Sequence, residues 1–205
     1  MNKIKVLELF AGTKSIGKAA KELGYDVFSS DIDPMFETDY TIDLLDFNTN
    51  QIPWKPDIIW ASVPCTSFSI ASSSYHWTKD RQPKTETAVI GYKLVEKTLE
   101  LINYYKPTYW YIENPRGLLR KFPIMEALPI RHTVTYCQYG DYRMKPTDIW
   151  TNNSFWIPKP ICYNEDECYI PSNDTKMKII GLNSAQIRSI IPHELCLEVM
   201  SQVKF

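Results

Sequence analysis

The chain has 205 residues, 44% of them hydrophobic, and a formal net charge of −1. That length buries one sizeable core, so a single domain spanning residues 1–205 is expected, and the balanced charge argues against a nonspecific polyanion binder, which would need a strong basic excess. No apolar run approaches the length of a membrane span or of a signal sequence. The five cysteines are odd in number and lack a framework-like spacing, which favours reduced thiols in a cytoplasmic protein.

Apolar runs rich in strand-forming residues alternate with helical patterns from the N-terminus onward. "IKVLELF" (4–10) predicts a buried strand, and "YDVFSSD" (25–31) predicts the next one. Between them "SIGKAAKELG" predicts a helix that Ser15 opens and Gly24 closes. A strand, a helix and a strand in succession are typical of an α/β fold.

The rest of the chain continues this alternation. Two strands bracketed by prolines are expected in "PDIIWASVP" (56–64) and "PTYWYIENP" (107–115), with a long helix in "TAVIGYKLVEKTLELINYY" (87–105) between them. The later expected elements are the strands "HTVTYCQYG" (132–140) and "TDIWTN" (147–152), an irregular segment at residues 152–187, and a final helix from Pro192 to Val203.

The first strand-to-helix loop, "FAGTKSIGKA", suits two classes of ligand. Gly12, Gly17 and Lys18 match the phosphate-loop pattern G-x-x-x-x-G-K, but Ala19 stands where the pattern needs a hydroxyl for magnesium. Alternatively the loop approaches a nucleoside cofactor, and Asp31, about 20 residues further on at the tip of the second strand, binds the ribose hydroxyls. A third interpretation is an ordinary tight turn in which Asp31 caps the next segment.

A cysteine directly follows a proline in "ASVPCTSFS", where an apolar run meets polar loop residues. Pro64 suits the point where a strand stops, so the thiol of Cys65 is expected at a strand tip, where α/β enzymes keep their chemistry. The alternative is a small buried hydrophobe, the commonest fate of a cysteine. Neither the histidine base of a thiol hydrolase nor the arginine of a phosphatase loop is present at the required spacing.

Four motifs in order, "LELFAGTKSIG", "SSDIDP", "SVPCTSFS" and "YIENP", resemble those of the cytosine-5 DNA methyltransferases. The resemblance runs from about residue 5 to residue 150, and "RSIIPHELCLEV" is similar to the family's last motif. It implies a Rossmann-like fold, in which a mostly parallel sheet is flanked by helices, and S-adenosylmethionine as the methyl donor.

The resemblance also assigns residues to the cofactor. Asp31 would bind its ribose, Ile32 would lie against the adenine, and Asp43 would reach the exocyclic amine. A solvated loop acid is the alternative for Asp43. Ser189, in the last motif, would lie beside the cofactor. The residues that would wrap its methionine part are Phe10, Ala11, Gly12 and Thr13.

Enzymes of this family add a cysteine thiolate to carbon 6 of cytosine, which makes carbon 5 nucleophilic. The resemblance gives that role to Cys65, preceded by Pro64, and makes Glu113 an acid at N3 of the base, with Asn114 beside it. Proline follows Asn114 where family members commonly have valine, a departure that leaves the two preceding residues in place. A strand-end acid in a turn is the alternative for Glu113.

The segment "YGDYRMKPTDIW" stands where the family has a Gln-x-Arg-x-Arg pattern that holds the base and its phosphate. It has Arg143, Lys145 and Thr147 at the three corresponding positions, so the positive charges of the pattern are kept only in part. Arg143 and Lys145 would bind phosphate and Thr147 would offer a hydroxyl to the base, with solvated surface charges as the alternative. Ser69 is a further expected substrate contact.

Residues 69–86, "SIASSSYHWTKDRQPKTE", look like the family's mobile loop that closes over a flipped base. Its aromatic side chains would offer stacking surfaces beside cationic phosphate partners, although a solvated face is the alternative. The residues in question are Tyr75, His76, Trp77, Lys79, Arg81 and Lys84.

Cys162, Cys168, His193 and Cys196 invite a zinc interpretation. Ligand pairs in zinc sites usually have two to four intervening residues, which these lack, and Cys196 falls on the apolar face of the last helix. No metal is therefore expected.

Family enzymes insert a substantial target-recognition domain before the last motif, whereas residues 152–187 form only a short irregular segment. The expected protein is a minimal cytosine-5 methyltransferase acting on DNA, a form that compact genomes such as those of phages favour. Local basic patches would hold the DNA, and a protein partner or a second copy of the chain would supply sequence recognition. Three alternatives stay open: a catalytically silent cofactor- or DNA-binding decoy, a methyltransferase of RNA or a free cytosine nucleotide, and a nucleotide hydrolase.

Overall fold

The computed structural model describes residues 3–163, 166–168 and 184–204, which contain one seven-stranded sheet. The strands are β1 (Lys5–Leu9), β2 (Asp26–Asp31), β3 (Tyr40–Thr41), β4 (Ile58–Ser62), β5 (Tyr109–Pro115), β6 (Ile130–Thr135) and β7 (Pro146–Thr151). Their order across the sheet is β3-β2-β1-β4-β5-β7-β6. The pairs from β3 to β5 are parallel, and β7 is antiparallel to both β5 and β6. The expected α/β fold with a mostly parallel sheet is confirmed.

The α-helices of the described ranges are α1 (Ser15–Glu22), α2 (Ser73–His76), α3 (Glu86–Tyr105), α4 (Pro123–Glu126), α5 (Ser184–Ser189) and α6 (His193–Ser201). The sequence did not predict β3, α2, α4 or α5, which are too short to show a periodic pattern. It also extended the sixth strand too far, because β6 ends at Thr135 and a 3-10 helix, Tyr136–Tyr139, follows. No helix in the described part of the chain is long and apolar enough to cross a membrane.

The two faces of the sheet carry separate hydrophobic cores, because successive strand side chains point to opposite faces. In β1, Leu7 and Leu9 pack into the core that α3 covers, whereas Val6 packs into the core that α1 and α6 cover. Glu8 shares the face of Val6. A carboxyl group is therefore buried under α1, at the end of the strand that carries the first motif.

The strand order reverses beside β1, which pairs with β2 on one side and β4 on the other. In open α/β sheets, ligands bind outside the carboxyl ends of the strands at such a reversal. The loops that follow β1 and β4 and the end of β5 meet at this edge of the sheet. It is the edge where the sequence places its candidate catalytic residues.

Candidate active site

A cleft of about 600 Å³ opens at this edge of the sheet. The expected site residues that line it are Phe10, Ala11, Gly12, Thr13, Pro64, Cys65, Glu113, Arg143, Lys145 and Ser189. The expected site residues outside its lining are Asp31, Ile32, Asp43, Ser69, Asn114 and Thr147. The fold therefore brings the candidate nucleophile and acid together with the loop that follows β1.

Cys65 lies three residues beyond the end of β4, in a backbone that two neighbouring elements hold. The Asn114 side-chain amide donates to the Val63 carbonyl over 2.8 Å and so fixes the chain just before Pro64. After the cysteine, the backbone N–H groups of Phe68 and Ser69 both donate to the Cys65 carbonyl at 3.0 Å, which closes a helical turn. Asn114 is thus a positioning residue that ties the cysteine loop to β5.

Glu113 lies near the end of β5, beside that loop and opposite Ser62 in the β4–β5 register. Its side chain is 5% exposed, and burial raises the pKa of the carboxyl group against the opposing effect of the Lys145 ammonium. The Tyr136 hydroxyl donates to Glu113 Oε1 over 3.3 Å. A carboxyl group whose pKa is raised holds its proton at higher pH, which suits a general acid.

Cys65 itself is half-buried, and charges of both signs act on its thiol. Burial raises the pKa of the Cys65 thiol, and the neighbouring Glu113 charge raises it further. Lys145 and Arg188 act in the opposite direction and lower this pKa. The resting thiol is therefore protonated, and the two cations stabilise the thiolate when it forms.

Lys145 is the cation shared by the nucleophile and the acid. Its ammonium lies 4.7 Å from the centre of the Tyr136 ring and donates to the Arg188 carbonyl over 3.0 Å. Burial lowers the pKa of Lys145, while the charges of Glu113 and Cys65 raise it. The phosphate contact expected of Lys145 stays a prediction, and in the structure its ammonium is held beside Tyr136 and the Arg188 carbonyl, where its charge acts on both Cys65 and Glu113.

Arg143 was also expected to bind phosphate, but its guanidinium is engaged within the protein. It forms an ion pair with Asp141 through Nε and Nη2. It also donates to the carbonyls of Ile187 and Ile190 over 2.8 and 3.0 Å. All three of its nitrogens are used, so Arg143 fastens the segment around α5 to the wall of the cleft.

The expectation for Thr147 was wrong. Its side chain is 0% exposed, and its hydroxyl donates to the Lys145 carbonyl over 3.4 Å. It lies on β7 opposite Pro115 of β5, within the sheet. Its hydroxyl is therefore not available to a base in the cleft.

The loop residue Ser69 contacts its own loop rather than the cleft. Its hydroxyl lies 2.7 Å from that of Ser72, whose Oγ donates to the Thr66 carbonyl over 2.6 Å. Ser69 therefore shapes the turn after Cys65, and its side chain does not line the cleft.

The aromatic residues of the 69–86 loop divide into two groups. Trp77 is 4% exposed and stacks on Phe68, with ring centroids 5.6 Å apart, and its indole donates to the Ser67 carbonyl. His76 is buried too and pairs with the Thr85 hydroxyl over 2.7 Å. The expected stacking surface is wrong for these two rings, which anchor the loop, and Tyr75 alone of the three is exposed.

Glu8 is the residue that the sequence analysis missed. Its two carboxyl oxygens accept hydrogen bonds from the N–H groups of Ile16 and Gly17, over 3.0 and 2.9 Å. It thereby caps α1, a role assigned to Ser15, whose side chain makes no cap bond because Lys14 is the N-cap. A carboxyl group within a buried strand needs such partners, and that was the available signal.

This cap also argues against the phosphate-loop interpretation. A phosphate loop presents the free N–H groups of a helix N-terminus to the anion. Here the Glu8 carboxyl group takes the N–H groups of Ile16 and Gly17, and it lies at the position where a phosphate would need to bind. Burial raises the pKa of Glu8 to about 8.

Asp31 organises the tip of β2. Its Oδ2 accepts from the Gly12 N–H over 2.8 Å and its Oδ1 accepts from the Asp33 N–H over 2.9 Å. Gly12 has a φ of +48°, and a Cβ built on it meets nothing within 4 Å, so open space faces this loop. The next residue, Ile32, is 65% exposed, and Asp43 caps a 3-10 turn by accepting from the Leu45 N–H.

Comparisons with known proteins identify the family. A family model for C-5 cytosine-specific DNA methylase matches residues 4–126. The "Probable DNA (cytosine-5)-methyltransferase" of Frog virus 3 (isolate Goorha) is 31% identical over 175 residues, which cover 80% of this chain and 78% of that protein. The chain therefore belongs to the C-5 cytosine-specific DNA methylase family, whose members methylate cytosine with S-adenosylmethionine.

A solved structure agrees on the fold, and a second is similar over part of the chain. The methyltransferase EhMeth of Entamoeba histolytica matches with a TM-score of 0.53 at 14% identity, over 78% of this chain and 57% of that one. A mutant of DNMT2 from Spodoptera frugiperda matches with a TM-score of 0.49 at 20% identity, over 77% of this chain and 53% of that one. The chain thus spans about half the length of these solved structures.

Proposed function

We propose that this protein transfers a methyl group from S-adenosylmethionine to carbon 5 of cytosine in DNA through a covalent adduct on Cys65. The observation that carries the proposal is the shared cleft, in which Cys65, Glu113 and Lys145 face the loop that follows β1. A thiol, a carboxyl group with a raised pKa and a cation are the groups that this reaction needs.

In the proposed reaction Cys65 gives up its proton to solvent, and the thiolate forms a bond to carbon 6 of the base. The electrons of the C5–C6 double bond form a C4–C5 double bond, and those of the C4–N3 double bond take the proton of Glu113 at N3, which makes the ring an enamine. S-adenosylmethionine would supply the electrophilic methyl group that carbon 5 attacks, with S-adenosylhomocysteine as the leaving group, and N3 then returns its proton to the Glu113 carboxylate. Loss of the carbon 5 proton to a base restores the double bond and expels the Cys65 thiolate, so the enzyme is regenerated.

The positive charge of Lys145 would stabilise the negative charge that forms at each stage of the reaction. Before attack it stabilises the thiolate of Cys65, and after proton transfer it stabilises the carboxylate of Glu113. Tyr136 would keep Glu113 in place, because burial raises the pKa of its phenol well above the usual value and the hydroxyl stays a donor.

The residues at the tip of β2 fit the cofactor. A carboxylate has about four acceptor sites, and Asp31 uses two of them on backbone N–H groups, so two remain for the ribose hydroxyls. The open space before Gly12 would admit the methionine part, next to Phe10, Ala11 and Thr13. Ile32 would offer its exposed side chain to the adenine, and Asp43 and Ser189 stay predictions for the same ligand.

DNA is proposed as the substrate on the name of the family and of the Frog virus 3 relative. Sequence recognition would be weak in this chain alone, because each bidentate base contact contributes about 1–3 kcal/mol and residues 152–187 offer few of them. A protein partner or a second copy of the chain would supply the rest. The cationic groups Arg116, Arg120 and Lys121 are a candidate backbone patch, but Arg120 already pairs with Asp148 over 2.8 Å.

The test is transfer of tritium from methyl-labelled S-adenosylmethionine to DNA, to RNA and to dCMP in parallel. We expect label in DNA at carbon 5 of cytosine, and no label with Cys65→Ser, which should still bind the cofactor in calorimetry. Label in RNA or dCMP alone would overturn the substrate. Cofactor binding without transfer to any of the three would identify a silent decoy.

A further inference from the structure

Three cysteines from separate parts of the sequence converge outside the active-site cleft. Cys137 lies in the 3-10 helix after β6, and Cys162 and Cys168 lie in the segment beyond β7. Their sulfur atoms all lie within 4.8 Å of one another. The Cys168 sulfur is 3.1 Å from that of Cys162 and 3.6 Å from that of Cys137.

The backbone around this cluster is fixed by hydrogen bonds to the core. The Cys162 N–H donates to the buried Thr135 hydroxyl over 2.8 Å, and the Lys159 N–H donates to the Tyr139 hydroxyl over 2.8 Å. Trp156 is buried, and its indole donates to Glu198 on α6 over 3.0 Å. The backbone that carries Cys162 is therefore fixed to the core beside the 3-10 helix that carries Cys137.

The sulfur spacing fits a metal ion better than a disulfide. Zinc binds thiolates at about 2.3 Å, so two sulfur ligands on a tetrahedral ion lie about 3.8 Å apart. The observed Cys168–Cys137 distance of 3.6 Å lies near that spacing, and the Cys168–Cys162 distance of 3.1 Å lies between it and a disulfide bond length. A disulfide has sulfurs about 2.05 Å apart and would leave the third thiol unpaired.

We propose that Cys137, Cys162 and Cys168 form a zinc site, with three thiolate ligands and a solvent molecule in the fourth position. All five cysteines and three histidines of the chain lie in the described ranges, and within those ranges only these three cysteines form such a group. The sequence analysis considered Cys162 and Cys168 together with His193 and Cys196 and expected no metal. Cys196 is buried in the core with α6, and His193 pairs with Glu22 over 3.0 Å.

The ion would fasten the segment beyond β7 to the turn that follows β6. That turn begins with Tyr136, whose hydroxyl donates to the active-site Glu113. By holding this turn, the ion would help to keep Tyr136 and therefore Glu113 in position. The segment that carries Cys162 and Cys168 belongs to residues 152–187, the short region found where family enzymes have a target-recognition domain. The ion would support this part of the fold, and its fourth coordination position would stay open to solvent.

The experiment measures metal in the full-length protein, purified under reducing conditions without chelator. We expect about one zinc per chain by plasma mass spectrometry in the wild type and in the matched control Cys65→Ser, whose cysteine lies outside the cluster. Cys168→Ser, at the half-buried position, should lose at least nine-tenths of the zinc. Added Zn²⁺ should raise the melting temperature of the apo wild type but not that of apo Cys168→Ser.

A spectroscopic measurement needs no variant. Co²⁺ added to the apo wild type should give the intense thiolate-to-cobalt charge-transfer band and the visible bands of tetrahedral cobalt. The proposal is overturned if the wild type neither retains zinc nor shows that band, or if Cys168→Ser keeps as much zinc as the wild type. A Cys162–Cys168 disulfide that persists as the native state, with no zinc bound after its reduction, would also overturn it. Each readout is independent of methyl transfer.

Discussion

Replacing Gly17 by alanine tests the buried cap of α1. A Cβ at this position would lie 2.7 Å from Glu8 Oε2 and 3.2 Å from Val27 Cγ1. Glu8 is 2% exposed and both its oxygens hold backbone N–H groups, so its carboxyl group cannot move without losing one of those bonds. The substitution should therefore destabilise the fold, although alanine is the better helix former.

The magnitude follows from three effects. Overpacking costs about 1–3 kcal/mol, and an unsatisfied buried group costs about 1–3 kcal/mol. Alanine returns about 1 kcal/mol of helix propensity. The net loss of unfolding free energy is about 1–5 kcal/mol, and at about 2–4 °C for each kcal/mol in a chain of this size the melting temperature should fall by roughly 2–20 °C.

The assay is urea and thermal unfolding followed by circular dichroism, in the wild type and in a Glu8→Ala background. Without the Glu8 carboxyl group the 2.7 Å contact disappears and only the 3.2 Å contact with Val27 remains, so Gly17→Ala should destabilise that background much less. An equal loss in both backgrounds, or no loss in the wild type, would refute the cap as the cause.

Three further outcomes are expected. Between its ordinary pKa of 4.5 and its native pKa of about 8, Glu8 binds a proton in the folded chain but not in the unfolded one. The unfolding free energy should therefore fall as the pH rises through that interval, and Glu8→Gln should remove part of the slope seen in urea titrations. Asp31→Ala should weaken S-adenosylmethionine binding by about 10- to 150-fold in calorimetry, because charge-assisted bonds contribute about 1.5–3 kcal/mol; unchanged affinity would contradict the ribose assignment. Glu113→Gln should lower kcat by about 10²- to 10⁴-fold with the cofactor affinity retained, since glutamine cannot give up a proton, and a normal kcat would exclude the acid role.

Much of the fold could be predicted from the sequence, because the long elements have clear periodicity. The strand around Leu7 follows from its apolar run, the strand around Tyr111 from an apolar run between prolines, and α3 from its helical pattern. The short elements could not be predicted, since β3 has two residues and α2 and α4 have four each. Elements of that length are fixed by tertiary contacts.

The site shows the same division. Cys65 follows β4 and Glu113 lies near the end of β5, and these strands are parallel neighbours, so their meeting could be predicted from the motif order. The directions of Arg143 and Thr147 could not, because they depend on the register of β7 and on the ion pair with Asp141. Cys137 escaped notice because its partners lie more than twenty residues away and meet it only through the fold.

The most direct test of the central claim is covalent trapping with duplex DNA that contains 5-fluorocytosine, because fluorine cannot leave carbon 5 as a proton does. With S-adenosylmethionine present, the protein should form a denaturant-stable adduct, and peptide mass spectrometry should place the DNA on Cys65. Cys65→Ser should form none. Methylation of ordinary cytosine without any trapped adduct, or an adduct on another cysteine, would contradict the mechanism.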